Sequence, residues 1–207
     1  MNDKIIILAD GSFPQHEIPL KYLREAGRIV CCDGSVKNLV STGLEPYAIV
    51  GDMDSLPEDL SARFADRLFP DNDQETNDLT KAVKWCSKRG YNDILILGAT
   101  GKREDHTLGN ISLLVDYAKE VSVIMVSDTG IIMPLLQPGS VLSFPGQQVS
   151  VFSLDPLAEV TSGGLKYKLD RLRLNSWWRA SLNESAGDKF NLSFTGGPLI
   201  IFLKFRE

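Results

Sequence analysis

The chain has 207 residues, 43% of them hydrophobic and 24% charged, and its 27 acidic against 22 basic side chains leave a net charge of −5. This near-average globular composition excludes disordered and fibrous architectures. No apolar run approaches the ~18–20 residues that cross a bilayer, and the negative balance disfavours a groove for nucleic acid.

Residues 5–8 form a short β-rich run ended by an Asp10-Gly11 turn. Residues 19–27 read as a helix closed by a glycine, 28–32 as a second strand, and Asp33-Gly34 as the turn into a further helix through Leu44. Residues 47–50 are a third strand, stopped at Gly51-Asp52. Across 77–89, Leu79, Ala82, Val83 and Cys86 fall at i, i+3, i+4 and i+7, which predicts a core-facing helix ended by Gly90. A strand at 94–97, a glycine-punctuated loop at 98–103, a helix at 107–119 and a strand at 121–126 continue the alternation. Strand and helix alternating in this way predict a parallel sheet covered by helices.

The helical period stops near Gly130. Short runs at 141–144, 149–154, 165–169, 191–194 and 199–205, separated by Pro-Gly, Gly-Gly and Asp turns, predict an antiparallel sandwich or barrel. The expected organisation is an α/β domain over 1–129 followed by a β-sandwich over 130–207. The second is small enough to need support from the first or from another subunit. The N-terminus shows no signal-peptide pattern. The adjacent Cys31 and Cys32 and the distant Cys86 suit neither a disulfide framework nor a zinc site, so a reduced, cytoplasmic protein is expected.

Acid is concentrated where the sheet is expected to bind ligands. Between Asp52 and Asp78 lie nine acidic residues and only two arginines. In an open parallel sheet, ligands sit at the carboxyl ends of strands, and three polar loops fall there: Asp33-Gly34-Ser35, Gly51-Asp52-Met53-Asp54-Ser55, and Gly98 to His106. Neither GxxxxGK[ST] nor GxGxxG occurs. Asp52 and Asp54, two carboxylates at one strand end, repel each other unless a divalent cation neutralises them, and Mg²⁺ suits one or two carboxylates plus phosphate and water. Asp78 is either a third carboxylate for the metal or a helix-start charge favoured by the macrodipole. Arg103-Glu104-Asp105-His106 opens the next helix. Beside a metal-bound triphosphate, Arg103 would offset phosphate charge and Asp105 would accept a proton.

Val50-Gly51-Asp52-Met53-Asp54-Ser55-Leu56, Asp78-Leu79-Thr80-Lys81, and Gly98-Ala99-Thr100-Gly101-Lys102-Arg103-Glu104-Asp105-His106 with Asn110 together resemble thiamine pyrophosphokinases. Cys32-Asp33-Gly34-Ser35 with Asn38 is similar to that family's Asp-Gly-Gly-Ala-Asn element. Gly164-Leu165-Lys166-Tyr167 and Asn183-Glu184 fall where the family has Gly-Leu-Lys-Trp and Ser-Asn-Glu. The resemblance implies a homodimer with thiamine at the subunit junction and the reaction ATP + thiamine → AMP + thiamine diphosphate. It implies Asp52, Asp54 and Asp78 as Mg²⁺ ligands, with Asp33, Gly34, Asn38, Arg103, His106 and Asn110 at the ATP and Asp105 at the reacting hydroxyl. Tyr167 would lie against the thiamine rings, with Ser181 and Asn183 bonding the aminopyrimidine. The chain departs from the pattern at Ser35, at Asn77 (usually threonine), at Tyr167 (usually tryptophan) and at Leu182 (usually serine). Two other classes remain: a haloacid-dehalogenase-type phosphatase with Asp52 as nucleophile, and a non-catalytic binder of ATP or thiamine.

Overall fold

The computed structural model describes residues 4–206, which divide into two compact units. One holds the described chain up to Leu113 with Glu120–Asp128; the other holds Leu114–Lys119 and the chain from Thr129.

The chain from Ile5 to Val126, all in the first unit but for the last turn of α5, alternates β1 (Ile5–Leu8), α1 (Glu17–Arg24), β2 (Ile29–Cys32), α2 (Val36–Ser41), β3 (Ala48–Gly51), α3 (Glu58–Arg63), β4 (Leu68–Pro70), α4 (Asp78–Ser87), β5 (Asp93–Leu97), α5 (Glu104–Tyr117) and β6 (Ser122–Val126). Its strands pair in parallel in the order β6-β5-β1-β2-β3-β4. Every residue of β1, β2 and β3 is buried. That is why these segments read as unbroken apolar runs: both faces of the sheet are covered. The chain builds outward from β1 to β4, then returns through α4 to place β5 on the other side of β1. The order therefore reverses between β1 and β5, which opens a ligand crevice at their carboxyl ends.

The second unit contains two antiparallel sheets. β12 (Asn183–Glu184), β9 (Gln148–Ser153), β14 (Leu199–Lys204) and β7 (Gly130–Leu135) form one. β11 (Leu172–Arg173), β10 (Glu159–Gly163), β13 (Lys189–Thr195) and β8 (Gly139–Leu142) form the other. Val149, Val151, Leu199 and Ile201 from the first sheet share one buried cluster with Val141, Val160, Phe190 and Leu192 from the second, the arrangement of a sandwich.

The expected strand at 165–169 is not one. Leu165 and Leu169 are buried, but Lys166, Tyr167 and Lys168 between them are exposed. Ser162 closes the segment into a loop: its N–H donates to Leu169 O (2.9 Å) and its hydroxyl accepts from Leu169 N (2.9 Å). Leu165 keeps a single bridge to Ser185.

Candidate active site

Three strand or helix ends bring carboxylates together in the first unit. Asp33 follows β2, and its carboxylate accepts from Gly34 N (2.7 Å) and from Ser55 N (3.2 Å) in the loop after β3. Ser35 fixes this corner by donating its hydroxyl to Leu8 O and Cys32 O, which ties the ends of β1 and β2 together. Asp52 leaves β3 and accepts from Asp54 N (3.1 Å) across Met53, whose φ of 69° is left-handed. Asp78 opens α4, where Asn77 caps the helix by accepting from Thr80 N (2.9 Å).

One carboxylate oxygen from each of Asp33, Asp52 and Asp78 lies within 4.8 Å of the others. The trio implied by the resemblance was Asp52, Asp54 and Asp78. The fold instead joins Asp33 to Asp52 and Asp78, and Asp54 is exposed outside the group. The reason is the turn: with Met53 left-handed, Asp54 gives its N–H to Asp52 while its side chain faces solvent.

Burial, with the charges of Asp78 and Asp52 adding to it, lifts the Asp33 pKa above the ordinary carboxylate value despite the opposing N–H bonds from Ser55 and Gly34. Lys81, 3% exposed, donates to Asp78 Oδ1 at 3.0 Å. Burial works to lower the Lys81 pKa, but the Asp78 bond and the nearby acids outweigh it and the pKa is raised. Three carboxylates against one ammonium leave about two negative charges, the amount one divalent cation cancels. An all-oxygen donor set of this kind suits Mg²⁺.

A cavity of about 320 Å³ is lined by Asp10, Asp33 and Asp78 together with Lys102, Arg103, His106 and Asn110. Past their last paired residues, β1 and β5 stay zipped through Ala9 N to Leu97 O, Gly11 N to Gly98 O and Ser12 N to Thr100 O. Gly98 is required there: its φ is +65°, and a Cβ would stand 2.7 Å from Ala9 O. The zipped loops let Lys102 Nζ donate to Asp10 O (3.0 Å) and Oδ1 (2.9 Å). Asn110 donates to Ala99 O (2.9 Å) and accepts from Asn77 Nδ2 (3.1 Å), so it joins α5 to the start of α4.

Asp105 lies outside the cavity lining, clamped by two guanidinium bonds from Arg103 and accepting from His106 N (2.9 Å). The Arg103 bond first, then the His106 N–H, hold its pKa at about 2. In this structure its carboxylate is taken up by the Arg103 fork, which it orients. Asn38 is half-buried on α2 and also lies outside the lining, and Gly34 contributes its N–H to Asp33. Asp10, Lys81 and Lys102 received no individual role from the sequence. The available signal for Asp10 was its place directly after β1, beside the point where strand order reverses.

In the second unit, Asn183 is 3% exposed and both ends of its amide are engaged. Oδ1 accepts from Tyr167 N (3.1 Å) and Glu184 N (2.8 Å), and Nδ2 donates to Tyr167 O (2.7 Å). Ser181 donates to Trp178 O (2.7 Å). These two side chains, expected to bond the aminopyrimidine, instead brace the local backbone. Tyr167 is presented outward, 61% exposed, with Lys166 Nζ 5.7 Å from its ring centre and paired to Glu184 at 2.9 Å. Trp177 is anchored through Nε1 to Ser153 O (3.2 Å), and Trp177, Trp178 and Leu182 are all exposed. Leu182 is also left-handed, at φ 55°. A bulky residue there costs on the order of 1–2 kcal/mol, and strain of this kind gathers at functional loops.

The profile of the thiamin pyrophosphokinase catalytic domain matches residues 20–126, and that of the thiamin pyrophosphokinase substrate-binding domain matches residues 130–202. The chain belongs to the thiamin pyrophosphokinase family. Thiamine pyrophosphokinase of Bacillus subtilis is 28% identical over 209 residues, covering 95% of this chain and 96% of that protein. Thiamin pyrophosphokinase 1 of Caenorhabditis elegans is 26% identical over 160 residues, covering 70% of this chain and 65% of the nematode protein. Among solved structures, the thiamin pyrophosphokinase of Geobacillus thermodenitrificans superposes with a TM-score of 0.79 at 24% identity, over 99% of this chain and 98% of that one. The Candida albicans enzyme does so with a TM-score of 0.81 at 17% identity, over 98% and 89%. These structures establish the fold: a mostly parallel sheet with helices and a separate antiparallel sheet. Relatives in this family are named thiamine pyrophosphokinases, the function that the resemblance implies.

Proposed function

We propose that this chain is itself a thiamine pyrophosphokinase that works with Mg²⁺. The thiamine hydroxyl attacks the β-phosphorus of ATP, the bond between the α- and β-phosphates breaks, AMP leaves, and the hydroxyl proton is released. The observation that carries this reading is the convergence of Asp33, Asp52 and Asp78 at a cavity that Lys102, Arg103 and His106 also line. Anionic and cationic groups gathered at one cavity suit a metal–triphosphate, which presents both signs of charge. When bound, Mg²⁺ withdraws charge from the phosphates. Asp33, Asp52 and Asp78 would hold it, with Lys81 keeping Asp78 in place. Lys102 and Arg103 would offset charge on the phosphates, Asp105 would fix the Arg103 fork, and Asn110 would hold the Ala99 loop against α4.

Thiamine would lie against the face of Tyr167, since an aromatic face attracts a cationic ring. Asn183 and Ser181 would act by bracing the loops that present it. The exposed Tyr167, Trp177, Trp178 and Leu182 support a homodimer in which a second copy covers this surface. The three free, buried thiols support a reducing, cytoplasmic setting.

Incubation with ATP, Mg²⁺ and thiamine tests the reading. AMP and thiamine diphosphate in equal amounts support it, free phosphate favours the phosphatase, and neither product favours a binder. In the same assay Tyr167→Ala is expected to raise KM for thiamine by about tenfold, the value of a cation–π contact of ~1–2 kcal/mol, with KM for ATP unchanged.

A further inference from the structure

A second cavity, of about 570 Å³, lies at the opposite ends of the same strands. Arg28 precedes β2 and Tyr47 precedes β3, whereas Asp33 and Asp52 follow them. At 3.3 Å per residue the two ends are about 16 Å apart. Tyr47, Phe69 and Trp85 give the cavity aromatic walls, and Arg28, Arg67 and Arg89 line it with charge.

The charges are not all spoken for. Glu45 pairs with Arg67 (3.1 Å) and with Arg63 outside the cavity (2.8 Å). Among the described residues, Arg28 and Arg89 have no carboxylate within ion-pair distance. Each lies with its guanidinium over aromatic rings: Arg28 over Tyr47 and Tyr91 at 5.5 and 5.4 Å, Arg89 over Trp85 and Phe69 at 3.9 and 4.9 Å. Stacking occupies the faces of the guanidinium; Arg89 gives one N–H to Trp85 O (3.5 Å), and the rest of its edge, with that of Arg28, is a planar fork of donors for an oxyanion. Asp66 also lines the space, and three guanidinia against Asp66 and Glu45 keep the balance positive.

The independent observation is Trp85. It is 9% exposed, it lines this cavity, and its Nε1–H is buried without a hydrogen-bond partner among the described residues. That N–H has no accessible surface, so the indole serves the site as a wall, with the Arg89 guanidinium stacked on its face at 3.9 Å. The volume exceeds what a bare ion needs, and the walls are aromatic. We propose that this cavity is a second ligand site, taking a small planar ring that carries a phosphate or carboxylate, with the oxyanion held by Arg28 and Arg89 and the ring laid against the aromatic wall.

The indole N–H of Trp85 reports directly on the site. In the ¹⁵N-labelled full chain its resonance can be assigned by its disappearance in Trp85→Phe, then followed during titration with AMP, benzoate and inorganic phosphate. The expected result is a saturable shift of this resonance with AMP or benzoate, whichever oxyanion fits. Inorganic phosphate, which lacks the ring, should act at least about tenfold more weakly. Arg89→Ala and Arg28→Ala should each weaken the shift by about tenfold. Asp78→Asn, at the far end of the strands, should leave it unchanged. The proposal is overturned if no probe moves the Trp85 resonance, which would leave the cavity without a ligand, or if Asp78→Asn abolishes the shift, which would make it an echo of the catalytic cavity. Neither overturning result bears on the pyrophosphokinase assay, so the two readings fail separately.

Discussion

Asp52→Asn and Asp78→Asn are each expected to lower turnover by about 10²–10³-fold with the fold intact, whereas Asp54→Asn is expected to cost less than about tenfold. The difference follows from position. Asp52 and Asp78 offer oxygens within 4.8 Å of each other and of Asp33, and Asn at either place removes one unit of charge from the group that would face Mg²⁺. Asp52 has a further task, because its Oδ1 closes the turn to Asp54 N. An amide oxygen preserves that bond, so the loss measured in Asp52→Asn belongs to charge. Asp54 is exposed, and in this turn it contributes its N–H rather than its carboxylate. The measurement is the initial rate of AMP formation against Mg²⁺ concentration, with circular dichroism to confirm folding. Higher Mg²⁺ for half-maximal rate is expected in the first two variants. A loss in Asp54→Asn as deep as in Asp52→Asn would move the cation toward the exposed side of the loop and displace Asp33 from its coordination.

The parallel sheet was legible because its strands are buried on both faces and its central helix carries an uninterrupted stripe. Leu79, Ala82, Val83 and Cys86 are all buried on α4, as their spacing requires. The stretch between Asp52 and Asp78 was not. It contains α3, with no buried residue, and β4, three residues long and at the edge of the sheet, so neither imprints an apolar period. The segment at 165–169 misled for a related reason. Leu165 and Leu169 face inward, but a loop closed on Ser162 holds them there, not a strand.

Motifs located the loops that carry Asp33, Asp52 and Arg103, because ligand loops follow strand ends in chain order, and passed over the Asp10-Gly11 turn after β1. Motifs do not say which atoms are already in use. The side chains of Asp105 and Asn183 satisfy themselves on Arg103 and on the Tyr167 backbone, and no one-letter pattern distinguishes an amide that grips a ligand from one that grips its own chain. Asp10 and Lys102 are 92 residues apart and meet only because β1 and β5 are neighbours. Asp33 joins Asp52 and Asp78 for the same reason: β2 and β3 pair side by side, so residues just past their ends face a common space.

Asn183→Ala should destabilise the chain by about 1–3 kcal/mol, an effect larger than its consequence for the chemical step. The substitution leaves the N–H of Tyr167, the N–H of Glu184 and the carbonyl of Tyr167 without the partner that now satisfies all three. Water compensates poorly, since Asn183 is buried where the short β12 pairs with β9. The unit that bears the loss is a small sandwich, where stability is limited by how little surface a short chain can bury. Urea unfolding should therefore show a lower midpoint with an unchanged slope. Released from its brace, Tyr167 samples more orientations, so KM for thiamine should rise while KM for ATP and kcat remain near those of the parent. Asn183→Asp separates the two ends of the amide. It keeps the acceptor for Tyr167 N and Glu184 N but sets a carboxylate against Tyr167 O, so its stability should also fall, with recovery as pH is lowered and the carboxyl gains a proton to donate. A ligand-contacting asparagine would behave differently: KM for thiamine would rise in both variants with the urea midpoint unmoved, and that result would return Asn183 to the vitamin and leave the presentation of Tyr167 to Lys166 and Glu184.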